Sequence, residues 1–240
     1  KANERLERLI REIPGLITET RSEVVVERAA QLGTEVIGAR YAAIGLLAAD
    51  RQSLESFTVA GVSGEESAAI GPHPVGKGLL GVLIREGRPI RLPDLARHPE
   101  SVGFAPNHPS MTSFLGVPIS VQQVVIGELY LTDKIGAEAF TEEDEHLAVL
   151  LALTVGSAIE NARLHTDRTR LLEEVQQLHR SRERFFAMVN HELRNALAAV
   201  YGWAEMLVRR KGQAEVPKAA YEILDSADQA VSLISDLLDL

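Results

Sequence analysis

Up to about residue 140, apolar positions come in short runs broken by glycine and proline. From residue 141 onward they recur at helical spacing, interrupted by a single proline, Pro217. Leu6, Leu9, Ile10 and Ile13 predict a short opening helix that stops at Pro14-Gly15. A second helix is expected over residues 22–37. The run 41–49, ended by Asp50-Arg51, reads as a strand and turn, with 54–59 as its partner strand. Residues 78–86 read as a helix closed by Gly87, and 89–92 as a short strand. Residues 114–120 and 124–132 read as strands joined by the polar pair Gln122-Gln123, a hairpin. This order predicts an α+β domain, a central antiparallel sheet flanked by helices.

Thr141-Glu-Glu-Asp144 has the form of a capping box, with Asp in place of the usual Glu or Gln, and Phe140 precedes it. The helix it opens is expected to run to about residue 210. A polar loop over 211–216 follows, and Pro217 fits the first turn of a final helix. A helix this long needs a partner for its apolar stripe. Leu164, Leu171, Val175 and Leu178 fall at heptad spacing, with Arg168 in the missing place. Phe186, Val189, Leu193, Ala196, Val200, Trp203 and Leu207 alternate steps of three and four. The two registers meet out of phase at Arg182, where consecutive steps of four form a stutter. A dimeric coiled coil running into a four-helix bundle explains the pattern, the final helix supplying Ala220, Ile223, Ala227, Val231 (or Ala230), Ile234 and Leu237 to its inner face. The expected segments are an N-terminal helix over 1–14, the α+β domain over 15–163, a coiled-coil linker over 164–182 and an all-α hairpin over 183–240.

Composition narrows the functions. The 240-residue chain carries a net charge of −9 and no basic run, which argues against nucleic acid as a partner. It has no cysteine, so disulfides, iron–sulfur clusters and thiol catalysis are excluded. The longest apolar run, 147–159, is shorter than the ~18 residues of a membrane span and reads as a buried helix. With no signal peptide near Lys1, a cytoplasmic location is expected, in a chain that begins inside a longer protein.

His191 sits at the heptad position opposite the inner stripe and is expected to face solvent, with Glu192 beside it and Asn195 one turn along. The run Phe185-Phe-Ala-Met-Val-Asn-His-Glu-Leu-Arg-Asn-Ala-Leu197, then Tyr201-Gly-Trp-Ala-Glu-Met-Leu207 and the closing Leu233-Ile-Ser-Asp-Leu-Leu-Asp-Leu240, resembles the dimerisation and histidine-phosphotransfer module of two-component sensor kinases. The resemblance covers about residues 181–240. It implies His191 as phosphoacceptor, Glu192 as acid/base and Asn195 as the residue serving the phosphatase reaction. Asn195 stands where Thr is usual. Ala196 stands where Pro is usual, so the helix is expected to be straighter there. The chemistry is consistent: a neutral imidazole is a nucleophile near pH 7, a neighbouring carboxylate takes its proton, and an amide orients water for the reverse hydrolysis. A His-Glu-x-x-His zinc motif is rejected, because Asn195 fills the second histidine's place. The implied donor is ATP, held by a separate kinase domain expected beyond residue 240. The implied partners are a second copy of the chain and the receiver domain of a response regulator.

The first half carries Gly76-Lys-Gly-Leu-Leu-Gly81, Phe114-Leu-Gly-Val-Pro-Ile, Ile126-Gly-Glu-Leu-Tyr-Leu-Thr-Asp, Phe140-Thr-Glu-Glu-Asp and Ala158-Ile-Glu-Asn-Ala162. In this order they resemble a GAF sensor domain over about residues 15–165, which implies a small-molecule pocket over the sheet. Arg91-Leu-Pro-Asp-Leu, His98-Pro, Ser101-Val-Gly-Phe and Asn107-His-Pro-Ser-Met111 resemble more narrowly the haem-binding GAF domains of dormancy-type, oxygen- and redox-sensing kinases. That likeness implies haem with His108 as axial ligand to the iron and Tyr130 on the distal side. Kinases of that group use a different histidine box. Another small ligand, or none, is the alternative for this pocket. His73, His98, His146, His165 and His179 form no constellation and are read as surface residues.

The expected protein is thus the sensor and acceptor portion of a histidine kinase, with a GAF-like sensor, a signalling helix and a phosphotransfer hairpin, inactive without its ATP-binding domain. The competing class is a non-catalytic dimeric GAF ligand-binding or scaffold module.

Overall fold

The computed structural model describes residues 2–48, 50–51, 53–62, 79–100, 109–209 and 216–238. The chain divides into two compact units, Lys1–Arg168 and Thr169–Leu240.

The first unit begins with helices α1 (Ala2–Ile17) and α2 (Ser22–Ile37). Strands β1 (Ala39–Leu47) and β2 (Leu54–Ala60) follow, then helix α3 (Leu79–Glu86) and strand β3 (Ile90–Leu92). Strands β4 (Phe114–Val121) and β5 (Val124–Lys134) lead into helix α4 (Glu142–Arg209). The five strands form one antiparallel sheet in the order β2-β1-β5-β4-β3. This is the antiparallel sheet flanked by helices that the sequence predicts.

Strand alternation sends each face of the sheet to a different layer. Ala42, Ile44 and Leu46 of β1, Leu115, Val117 and Ile119 of β4 and Leu129 and Leu131 of β5 join α1, α2 and the first turns of α4 in the main core. On the other face Phe114 clusters with Leu79 and Leu83 of α3, and Ile90, Leu92, Leu95 and Tyr130 pack against them. The β4–β5 hairpin turns at Gln122 and Gln123, both left-handed with φ of 47° and 68°. Two consecutive positive φ values give the twist of a tight two-residue hairpin, here adopted by two glutamines. The main core closes tightly where α4 crosses β4. A Cβ built on Gly156 would stand 2.7 Å from the carbonyl oxygen of Ser120, so glycine sets that approach.

One boundary departs from the sequence expectation. Helix α1 does not stop at Pro14-Gly15 but continues through Pro14 to Ile17. Proline removes one helical hydrogen bond. Against that loss Leu16, seven residues beyond Leu9 on the same face, is as completely buried as Leu9. The carbonyl of Pro14 accepts from both the backbone N–H and the hydroxyl of Thr18, at 3.1 and 2.8 Å.

The start of α4 shows why Asp serves in its capping box. The backbone N–H of Thr141 donates to Asp144 Oδ2 at 2.9 Å, and the N–H of Asp144 donates to Thr141 Oγ1 at 3.2 Å. The fully buried Asp144 also accepts from Lys134 Nζ at 2.7 Å and pairs with Arg5 of α1. Burial pushes its carboxyl up, but the hydrogen bonds from Lys134, Thr141 and Arg5 outweigh it and hold the pKa below the usual range. Over one 18-residue window α4 is apolar enough to cross a membrane by composition, yet 56% of that window is buried. Leu147, Leu151, Val155 and Ile159 carry it in the main core.

The second unit holds the rest of α4 and helix α5 (Val216–Leu238), with Pro217 in its first turn. The helix is unbroken at the phase slip, where the Arg182 guanidinium lies over the Phe186 ring, 5.5 Å from its centroid. Val189 and Ala196 are buried, and Leu193, Val200, Trp203 and Leu207 are half-buried, as the predicted inner stripe requires, whereas Phe186, expected at its start, is 46% exposed. On α5, Ile223 and Ala227 are half-buried. Ala230 rather than Val231 turns inward, and Ala220, expected on the inner face, is exposed. Ile234 and Leu237 lie outside the residues whose side chains are described.

Candidate functional site

His191 is carried on the exposed side of α4, its side chain 68% accessible and that of Glu192 52%. With Val189 and Ala196 buried on either side in sequence, helical periodicity leaves position 191 on the outer face. Asn195, four residues on, brings its Nδ2 to 3.2 Å from His191 Nδ1. Glu192 Oε1 is 3.4 Å from the same nitrogen. Among the described residues both contacts fall on Nδ1, and Nε2 points away from them.

The two partners ask for opposite tautomers. A hydrogen on Nδ1 is donated to the Glu192 carboxylate, and the lone pair then sits on Nε2, ready for an electrophile. A hydrogen bond from the Asn195 amide needs the lone pair on Nδ1, which puts the proton on Nε2 and silences it as a nucleophile. The three side chains therefore hold an exposed imidazole between a reactive and an unreactive form.

In the first unit Tyr130 lies on the sheet face opposite the main core. It is directly paired with Ala43 of β1 and Gly116 of β4. Its ring lies between those of Phe57 and Phe114, with centroids 6.0 and 6.3 Å away. Burial pushes the Tyr130 hydroxyl well above the usual phenol range, and the nearby charge of Glu128 adds to the shift. His108, its expected counterpart, lies outside the described residues. Among the described residues no group of three or more His, Asp or Glu is placed to hold a metal.

Glu128 was not singled out in the sequence. It sits two residues before Tyr130 on the same face, paired with Gly45 and Pro118, and is 1% exposed. Both carboxylate oxygens are buried without a hydrogen-bond partner among the described residues. Burial raises its pKa to about 8. A signal was present: Leu129 and Leu131 at core spacing force Glu128, Tyr130 and Thr132 together onto the other face. What the alternation does not tell is whether that face is covered.

The comparisons agree with these two units. A family model for the GAF domain matches residues 19–160, and one for the His Kinase A (phospho-acceptor) domain matches residues 181–240. Among similar solved structures is the GAF domain of a phosphoenolpyruvate-protein phosphotransferase from Coxiella burnetii. It is 21% identical, covers 70% of this chain and 99% of its own, and has a TM-score of 0.60. The corresponding GAF domain from Acinetobacter is 21% identical, covers 68% and 96%, and has a TM-score of 0.57. A free methionine-R-sulfoxide reductase from Neisseria meningitidis, solved with its substrate, is 21% identical, covers 68% and 93%, and has a TM-score of 0.57. At these identities the likeness is one of fold. With a GAF fold in its first unit and a phospho-acceptor domain after it, the chain belongs to the GAF domain family and forms the sensor portion of a two-component histidine kinase.

Proposed function

We propose that the first unit binds a small ligand over its sheet face and that His191 accepts a phosphoryl group and passes it to a response regulator. The observation that carries the second half is the convergence of Glu192 and Asn195 on His191 Nδ1. In the forward step Nε2 attacks the γ-phosphorus of ATP supplied by a kinase domain. The phosphorus–nitrogen bond forms as the bond to the β-bridging oxygen breaks, ADP leaves, and the Nδ1 proton is shared with Glu192. In the reverse hydrolysis Asn195 holds the water that attacks phosphorus, and His191 is the leaving group. ATP as donor places this reaction in the cytoplasm.

A homodimer suits the second unit. Leu171, Val175 and Leu178 are 60%, 61% and 72% exposed in one chain, the heptad stripe that a second copy would cover. In this reading the slip at Arg182 is a bistable joint, and ligand state biases its register and so the access of the kinase domain to His191. Single-residue insertions or deletions at 182 are expected to change output in a full-length kinase; indifference to them would end the joint hypothesis.

The test of the acceptor is to add a separate histidine-kinase ATP-binding domain and labelled ATP, and to look for acid-labile label that His191→Ala abolishes. No label with a competent kinase domain would favour the non-catalytic scaffold.

A second reading, haem in the sheet-face pocket, has one described residue in its favour. Tyr130 lies on that face in an aromatic wall and fits the distal position. His108 would then hold the iron, Tyr130 would hydrogen-bond a bound diatomic gas, and haem would supply gas or redox sensing. A Soret band after haem addition, lost in His108→Ala, supports it; a flat spectrum leaves a different small ligand.

A further inference from the structure

The sheet face opposite the main core holds an acid that the fold does not use. Glu128 forms no ion pair and no hydrogen bond among the described residues. Its direct partners on the two neighbouring strands are Gly45 and Pro118. A Cβ built on Gly45 would lie 3.6 Å from Glu128 Oε1 and 3.2 Å from Leu54 Cδ2. A carboxyl group buried in this way costs stability whichever protonation state it takes. Hydrophobic residues of similar size would fill the place at lower cost. A ligand that pairs with the acid would offset that cost.

We infer that Glu128 is the anchoring acid of the sheet-face site and that the site takes a small planar cation of amidinium or guanidinium type. This rests on the reading of that face as the ligand pocket. Two unpartnered oxygens on one carboxylate match two parallel N–H donors, the geometry of amidinium and guanidinium groups. The rings of Phe57, Tyr130 and Phe114, spaced 6.0 and 6.3 Å apart about Tyr130, offer planar surfaces along the same face. Small residues at Ala43 and Gly45 pair with Tyr130 and Glu128, so the strand beside them adds no large side chain to either position. The raised pKa of Glu128 agrees with an acid that lacks its counter-ion. Porphyrin, whose free polar groups are carboxylates, offers this acid no cation.

The experiment uses the full chain with benzamidine as the probe, and neutral benzamide and anionic benzoate as matched controls. Binding is read by calorimetry and located by hydrogen exchange over residues 126–132. Benzamidine is expected to bind and protect that strand, with benzamide and benzoate weaker. Glu128→Gln and Glu128→Met, the second guarding against a misfolded first, are each expected to weaken benzamidine by roughly tenfold or more. If benzamide protects the strand as well as benzamidine does and neither variant matters, the pocket stands and the role of Glu128 falls. If none of the probes, haem included, protects the strand, the pocket reading falls with it. If haem loads through His108 and benzamidine does not bind, the site belongs to haem and the inference is wrong.

Discussion

Asn195 Nδ2 stands 3.2 Å from His191 Nδ1, and Glu192 Oε1 stands 3.4 Å from the same atom. An amide donor and a carboxylate acceptor compete for one nitrogen, so the partner that wins sets the tautomer of the exposed ring. On the proposed reading, Glu192 serves the forward transfer and Asn195 the hydrolysis.

With an added kinase domain, Glu192→Gln is expected to slow labelling of His191 by about 10²-fold, the low end of what a positioned base contributes. Asn195→Ala is expected to leave labelling in place and to lengthen the life of the phosphohistidine once ATP is removed. Rates of label gain and loss measured separately check both; equal effects of the two variants on both rates would show that the roles are not divided.

Glu128 should leave a signature in the pH dependence of stability. Burial raises its folded pKa to about 8, above the ordinary glutamate value of 4.5. Below 4.5 both states hold the proton, so no cost of ionisation enters. As pH rises from there to about 8, the unfolded chain ionises first, and stability falls by up to roughly 5 kcal/mol if the burial is complete. Glu128→Gln removes this slope, so urea unfolding of variant and parent should diverge in stability between pH 5 and 8. Parallel curves would mean that Glu128 is solvated or paired.

Gly156→Ala sets two effects against each other. Alanine favours a helix by about 1 kcal/mol over glycine. The new methyl carbon would meet the Ser120 carbonyl oxygen at 2.7 Å, and that oxygen is backbone within the sheet. Overpacking of this kind costs about 1–3 kcal/mol, so the variant is expected to be less stable despite its better helix former. Thermal unfolding of the two proteins decides the sign.

Leu178→Glu puts a charge in the exposed heptad stripe, at a position 72% accessible in the single chain. If that stripe is a dimer seam, two buried leucines are lost per dimer, about 3–6 kcal/mol. Sedimentation should then show monomer at concentrations where the parent is dimeric, with helix content of the first unit unchanged. A parent that is itself monomeric would remove the premise.

How much was legible in the sequence follows from range. The boundaries of α2, the β4–β5 hairpin at Gln122-Gln123, the reciprocal cap at Thr141 and Asp144, and the outward placement of His191 are all set by periodicity and by contacts a few residues long. These the chain states locally. The haem expectation at His108 lies outside the described residues and stands as it did.

What only the tertiary structure decided depends on who covers which face. Helix α1 passes through Pro14 because Leu16 finds a place in the core, a gain that the local signal of proline does not contain. Ala230 and not Val231 turns inward on α5, although both fit the spacing. Asp144 is more than a cap because Arg5, 139 residues away along the chain, and Lys134 at the end of β5 converge on it. Glu128 looked like any polar residue in an alternating strand, and its burial without a partner came from packing across the sheet. Alternation assigns a side chain to a face, whereas long-range packing fixes the dielectric, the partners and hence the chemistry of that face.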